Sequence, residues 1–112
     1  MNLMKLKIVN MNGYPKELKK KYHKHGIDVF TDREIVELLL LYARPLNGVR
    51  NLADNLISQY GDFQQLLDEP LNSLVAFPGM NADTGTLLKL IRDCSSYYLK
   101  KKPLKIIQSG AE

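Results

Sequence analysis

The segment Thr31-Asp32-Arg33-Glu34-Ile35-Val36-Glu37-Leu38-Leu39-Leu40-Leu41-Tyr42 places the tightest limit on what this chain folds into. Thr31 and Glu34 have the spacing of a capping box, in which the hydroxyl and the carboxylate each satisfy an orphan amide at a helix start. The apolar positions that follow are contiguous from Leu38 to Tyr42, wider than one amphipathic stripe, so the helix is expected to be central and buried on most sides. That run, extended to Ala43, is the longest apolar stretch in the chain and is far too short to cross a bilayer. A length of 112 residues leaves room for one compact domain around such a helix.

Helical punctuation continues on both sides. Pro15 to Lys24 suits a short, very basic helix stopped by Gly26, with Leu18 and Tyr22 as an i,i+4 apolar pair. Arg44-Pro45-Leu46-Asn47-Gly48 ends the central helix, and Leu52, Ala53, Leu56, Ile57 and Tyr60 recur at helical spacing up to Gly61. Asp62 is placed to cap a short helix carrying Phe63, Leu66 and Leu67. Pro70 opens another, expected to turn Leu71, Leu74 and Val75 inward. After Phe77-Pro78-Gly79-Met80-Asn81, a long helix is expected from about Ala82 to Leu99, with Leu87, Leu88, Leu90, Ile91, Cys94 and Tyr98 on its apolar side. No stretch in the middle of the chain alternates convincingly over strand length, so the domain reads as all-α. Residues 1–13 read as a basic tail or short edge strand, 14–102 as the helical domain, and 103–112 as a tail or linker.

Charge divides unevenly along this order. The net +4 is the sum of +6 over Met1–His25 (seven Lys, one acid), −5 over Gly26–Ser96 (five basic, ten acidic) and +3 over Tyr97–Glu112 (four Lys, one acid). A single cysteine excludes an internal disulfide framework, and no signal-peptide core precedes the domain, so a soluble, cytoplasmic protein is expected.

The most specific local pattern is Leu74-Val75-Ala76-Phe77-Pro78-Gly79-Met80-Asn81 followed by Gly85, Leu87, Leu88 and Ile91. It resembles the helix-hairpin-helix motif, whose turn reads apolar-Pro-Gly-apolar-Gly with a small residue six positions after the first Gly. Here Asn81 replaces the second Gly, a residue tolerant of left-handed backbone. Amides at such a turn and helix start form an anion site for one phosphate and read no base. The same pattern also suits a tight corner that only packs two helices. A fainter copy lies thirty-two residues upstream, laying Asn47-Gly48-Val49 over Gly79-Met80-Asn81, Ala53 over Gly85 and Leu56 over Leu88. Lys89 and Arg92 are expected to project one and two turns past the hairpin. Lys16, Lys20 and Lys24 form one stripe on the first helix, with Tyr22 interleaved.

Catalytic patterns are weak. His23-Lys24-His25 sits among cations at a helix end, Cys94 reads as a packed core thiol, Asp68-Glu69 read as caps, and neither a Walker nor a GxGxxG pattern occurs. No catalytic residue, metal site or cofactor is assigned.

His25-Gly26, the Thr31–Leu40 segment, Leu52-Ala53 with Leu56, Tyr60-Gly61-Asp62-Phe63, and Leu74 to Gly79 together resemble the N-terminal domain of the RadC (UPF0758) family over roughly Tyr14 to Tyr98. Tyr14-Pro15 stands where that family usually carries a His-Arg pair. The resemblance implies a helix-hairpin-helix-like domain that precedes a JAB/MPN-type metal domain. That domain's Glu, His-x-His-Pro, Ser and Asp signature is not found in these residues. It also implies a historical link with DNA repair. The expectation is a compact five- to six-helix orthogonal bundle of helix-hairpin-helix type, non-catalytic, binding DNA phosphates through Gly79, Met80, Asn81, Lys89, Arg92, Lys16, Lys20 and Lys24. The alternatives are a protein-interaction or structural domain, or the N-terminal piece of a metalloenzyme-like protein.

Overall fold

A computed structural model of the chain describes residues 16–43 and 48–102. The expected N-terminal tail, the Arg44–Asn47 break and the tail after Lys102 lie outside the described residues. Among the described residues the regular structure is helical throughout. Helix α1 covers 16–25 and is followed by a 3-10 turn at Ile27–Val29. Then come α2 (Asp32–Ala43), α3 (Val49–Tyr60), α4 (Phe63–Leu67), α5 (Leu71–Ala76) and α6 (Ala82–Lys101).

Helix α2 is the centre, as its composition demands. Its capping box forms: the Glu34 amide donates to Thr31 Oγ1 at 3.2 Å, and the Thr31 amide donates to Glu34 Oε1 at 3.0 Å. Val36, Leu38, Leu40 and Leu41 are buried, and α3, α4 and α6 all pack against this helix. Asp32 accepts from the Phe63 amide at 2.9 Å, which ties the start of α2 to the start of α4. Asp62 caps α4 by accepting from the Gln65 amide at 2.8 Å. Leu18 alone brings α1 into the core, while its expected partner Tyr22 is half exposed.

Two helical hairpins, α2–α3 and α5–α6, make the most extensive contacts, with α4 between them. In the second, Gly85 lies where a Cβ would meet Val75 Cγ2 at 2.8 Å and the Val75 backbone nitrogen at 3.1 Å. Only a glycine lets α6 approach α5 this closely. In the first hairpin, Ala53 and Leu56 are fully buried at the positions that the thirty-two-residue shift pairs with Gly85 and Leu88. The offset is not kept at the turns, because left-handed Gly48 is itself the N-cap of α3 whereas left-handed Gly79 precedes the N-cap of α6 by two residues.

The last helix departs from the amphipathic reading. Thr84, Gly85 and Leu88 are buried, but Leu90, Cys94, Tyr97, Tyr98 and Leu99 are exposed. At 20 residues α6 is roughly 30 Å long and outruns the elements that could cover it. Cys94 is therefore an exposed thiol rather than a core one. Leu71 is exposed too, and Pro70 is the N-cap of α5 rather than its first helical residue.

One buried charge was not anticipated. Glu37 is fully buried on α2, pairs with Arg33, and leaves Oε2 without a hydrogen-bond partner. Burial raises its pKa from the ordinary 4.5 to about 7, the nearby Arg50 opposes the rise, and Asp54 adds to it. The folded protein thus holds a proton on Glu37 that the unfolded chain has released between pH 4.5 and 7. Stability from this group is complete below the unfolded value and is lost as pH rises through the folded one.

Two outcomes follow from this packing. Gly85→Ala should lower stability by about 1–3 kcal/mol in urea unfolding, although Ala is the better helix former; a gain in stability would refute the close approach. The urea midpoint of the natural protein should decline as pH rises from about 4.5 to 7, and that of Glu37→Gln should lack this decline. Parallel curves for the two proteins would show that Glu37 titrates normally.

Candidate functional site

The turn between α5 and α6 folds as a tight hairpin, but its donors are engaged. Gly79 is left-handed at φ 92°, packed over Leu52, and the Met80 amide donates to the Phe77 carbonyl at 2.9 Å. Asn81 is not left-handed. It takes extended backbone as the N-cap of α6 and forms a reciprocal capping box. Its side chain accepts from the Thr84 amide at 2.9 Å, and its own amide donates to Thr84 Oγ1 at 2.8 Å. The amides of Met80 and Asn81 are thus spent on the fold, and Asp83 adds an acid to the first turn of α6.

The two cations expected beside the hairpin are also committed. Lys89 Nζ donates to the carbonyls of Leu67 (3.2 Å) and Glu69 (2.9 Å), covering acceptors at the end of α4. Arg92 pairs with Asp68 at 3.4 Å and Asp93 at 3.6 Å. Neither is an open phosphate contact in this arrangement. Lys100, Lys101 and Lys102 end a continuous helix, so they begin roughly 27 Å from its first residue and do not fold back beside Gly79. The Lys102 ammonium sits 4.8 Å from the Tyr98 ring centroid and 2.6 Å from its hydroxyl.

Helix α1 differs. Lys16, Lys20 and Lys24 are exposed along one stripe about 12 Å long, and none of the three enters an ion pair among the described residues. Lys21, off the stripe, binds both oxygens of Glu34 at 2.9 and 3.0 Å, and the Lys21 ammonium together with the Thr31 amide holds that carboxyl below its usual range. A shallow concavity of about 340 Å³ opens beside Lys20 and Lys24, with Glu17 as its one acid. His23 and His25 are both exposed.

Beside the stripe, on the flank of α1 that carries Lys19 and His23, lies a feature that sequence reading did not find. A groove of about 450 Å³ runs between α1 and α2, floored by Ile35, Leu38 and Leu39 and walled by Tyr22, Ile27 and Tyr42. Lys19 and His23 stand at its edge, the Lys19 ammonium 4.7 Å from the Tyr42 ring centroid. The signal available in the sequence was Leu39 and Tyr42, apolar residues in excess of what one buried face of α2 requires.

No group of three or more His, Cys, Asp or Glu among the described residues is arranged to hold a metal ion, and no helix among them is long and apolar enough to cross a membrane.

Two helical hairpins, the second packed through α6 on the central buried helix α2 of the first, without strands among the described residues, define an all-α bundle domain. The chain is 27% identical over 88 residues to a UPF0758 protein of Fusobacterium nucleatum, an alignment covering 79% of this chain and 38% of that protein. It is 30% identical over 81 residues to a UPF0758 protein of Ruegeria pomeroyi, covering 72% and 36% respectively. This chain belongs to the UPF0758 family, and the match spans a little over a third of the length of these curated relatives. No family model and no solved structure matches it.

Lys89→Met, which keeps the apolar stem, should lower stability by about 1–2 kcal/mol in chemical denaturation, since it strips the carbonyls of Leu67 and Glu69 of a charged donor. A change within about 0.5 kcal/mol would mark Lys89 as an ordinary surface lysine.

Proposed function

We propose that this chain is a non-catalytic, RadC-like helical domain that binds nucleic acid weakly and without sequence preference, in the context of DNA repair or processing in the cytoplasm. The observation that carries the reading is the exposed stripe of Lys16, Lys20 and Lys24, the predicted site cations that have no partner among the described residues. Each phosphate such a lysine meets releases condensed counterions, which gives affinity without reading bases. Acids elsewhere reinforce the assignment to α1: Asp83 and Asp93 on α6 and Asp68 beside it repel a polyanion from the hairpin side. In this reading Gly79, Met80 and Asn81 hold two helices together and support the lysine face only indirectly, while Lys89 and Arg92 brace the α4–α5 junction.

A second reading rests on α6. The exposed Leu90 and Tyr97, i,i+7 on α6, with Tyr98 beside them, form an apolar surface of the kind that docks another domain or protein. The two readings separate under charge reversal.

In a low-salt fluorescence titration, the natural chain should bind DNA with a dissociation constant on the order of 10⁻⁴ to 10⁻⁶ M. The log–log salt slope should be near −2.7 on duplex, about 0.9 per lysine contact. Replacing Lys16, Lys20 and Lys24 with Glu should abolish binding and leave any protein contact of α6 intact. Absence of binding by the natural chain at roughly 10⁻⁴ M would reject the nucleic-acid reading.

A further inference from the structure

The groove between α1 and α2 adjoins the lysine stripe, and the two together have the composition of a site for a strand with free bases. We propose that the groove seats an unpaired nucleobase while Lys16 and Lys20 take the flanking phosphates, so that the domain prefers single-stranded to duplex nucleic acid. The inference rests on the phosphate reading above and adds the form of the ligand.

Geometry supplies the first argument. On α1, Lys19 lies i,i+3 from Lys16 and His23 lies i,i+3 from Lys20, so the groove's edge residues are each next to a lysine of the stripe. A ligand following the stripe passes along the mouth of the groove. Among the described residues no carboxylate lines that mouth, although the segment from Gly26 to Ser96 is acidic overall.

Chemistry supplies the second. The groove exposes aromatic and apolar surface that the fold does not need covered: Tyr42 is 65% exposed, Tyr22 47% and Ile27 42%. Its volume of about 450 Å³ lies within the roughly 300–1,000 Å³ of sites that take small ligands. A phosphodiester backbone gains nothing from such a floor, and a paired base inside a duplex cannot reach it. A single strand offers an anion and a π-face at each nucleotide, and cations beside exposed aromatics are the recurrent way of holding one. Charge complementarity with the most basic helix of the chain selects this occupant over a neutral apolar one.

The test measures fluorescence anisotropy of the whole chain at low salt with three probes: an oligothymidine of roughly 12 nucleotides, an abasic strand of equal length and charge, and a blunt duplex. The oligothymidine should bind about 5- to 100-fold more tightly than the abasic strand. Tyr42→Ser should remove that margin while leaving abasic binding unchanged, and Lys16→Glu with Lys20→Glu should weaken all three probes. In the natural chain, the Ile27 and Leu39 methyl resonances should shift on adding oligothymidine and not on adding the abasic strand, a readout that needs no variant to fold. Equal affinity for oligothymidine and abasic strand overturns the base seat and leaves the phosphate reading standing. Failure of all three probes overturns both. Self-association in sedimentation that Tyr42→Ser abolishes assigns the groove to a second copy of the chain and overturns the proposal.

Discussion

Everything else in this domain depends on burying α2. A helix with Val36, Leu38, Leu40 and Leu41 inside has more apolar circumference than one neighbour can cover, so α3, α4 and α6 each take a share. Helix α1 covers the remaining side through Leu18 in the core, the Tyr22–Phe30 edge contact at 6.4 Å and the Lys21–Glu34 ion pair. That last cover is partial. Leu39 and Tyr42 line the groove, which is the part of α2 that its neighbours leave open.

The same geometry explains the cost accepted at Glu37. A buried carboxylate with one oxygen unsatisfied opposes folding unless it is paired or protonated. Arg33 reaches both Glu37 on its own helix and Asp54 on α3, the latter at 3.3 Å, so one guanidinium links the two helices of the first hairpin. The shared guanidinium gives α2 and α3 a directional polar contact in a seam otherwise lined by apolar side chains. The second hairpin reaches the same end by shape, through the Gly85–Val75 contact.

Local signals were legible in the sequence because they act over three or four residues. The Thr31–Glu34 box, the Asp62 cap and the Gly61 stop each follow from a side chain meeting its own backbone, and each forms as read. Gly85 was legible as the small residue of a hairpin, since close helix approach depends on a single Cβ. What failed depended on how far elements reach. Periodicity marked Leu90, Cys94 and Tyr98 as one face of α6, correctly as a stripe, but a stripe does not reveal that the core covers Leu88 and Ile91 and leaves this side of the helix exposed. The internal partners of Lys89 and Arg92 were not legible, because Leu67, Asp68 and Glu69 lie about twenty residues away in the chain. Asn81 was read through the backbone freedom of a glycine it replaces, whereas it works through its side chain, with Thr84 completing the box.

Net charge is a poor guide to where such a domain meets a polyanion, because most cations of its core are consumed internally. Lys21, Arg33 and Arg92 pair with carboxylates and Lys89 with carbonyls. The exposed lysines of α1 are in the opposite situation. Lys16–Lys20 and Lys20–Lys24 are like-charged i,i+4 pairs, each weakening an isolated helix by about 0.2–0.5 kcal/mol. Glu17 is the one acid on the helix; as an i,i+3 neighbour of Lys20 it offsets only part of this repulsion. A phosphate laid between two of these lysines turns the repulsion into attraction. The face that least helps α1 to fold alone is therefore the face with most to gain from an anionic ligand.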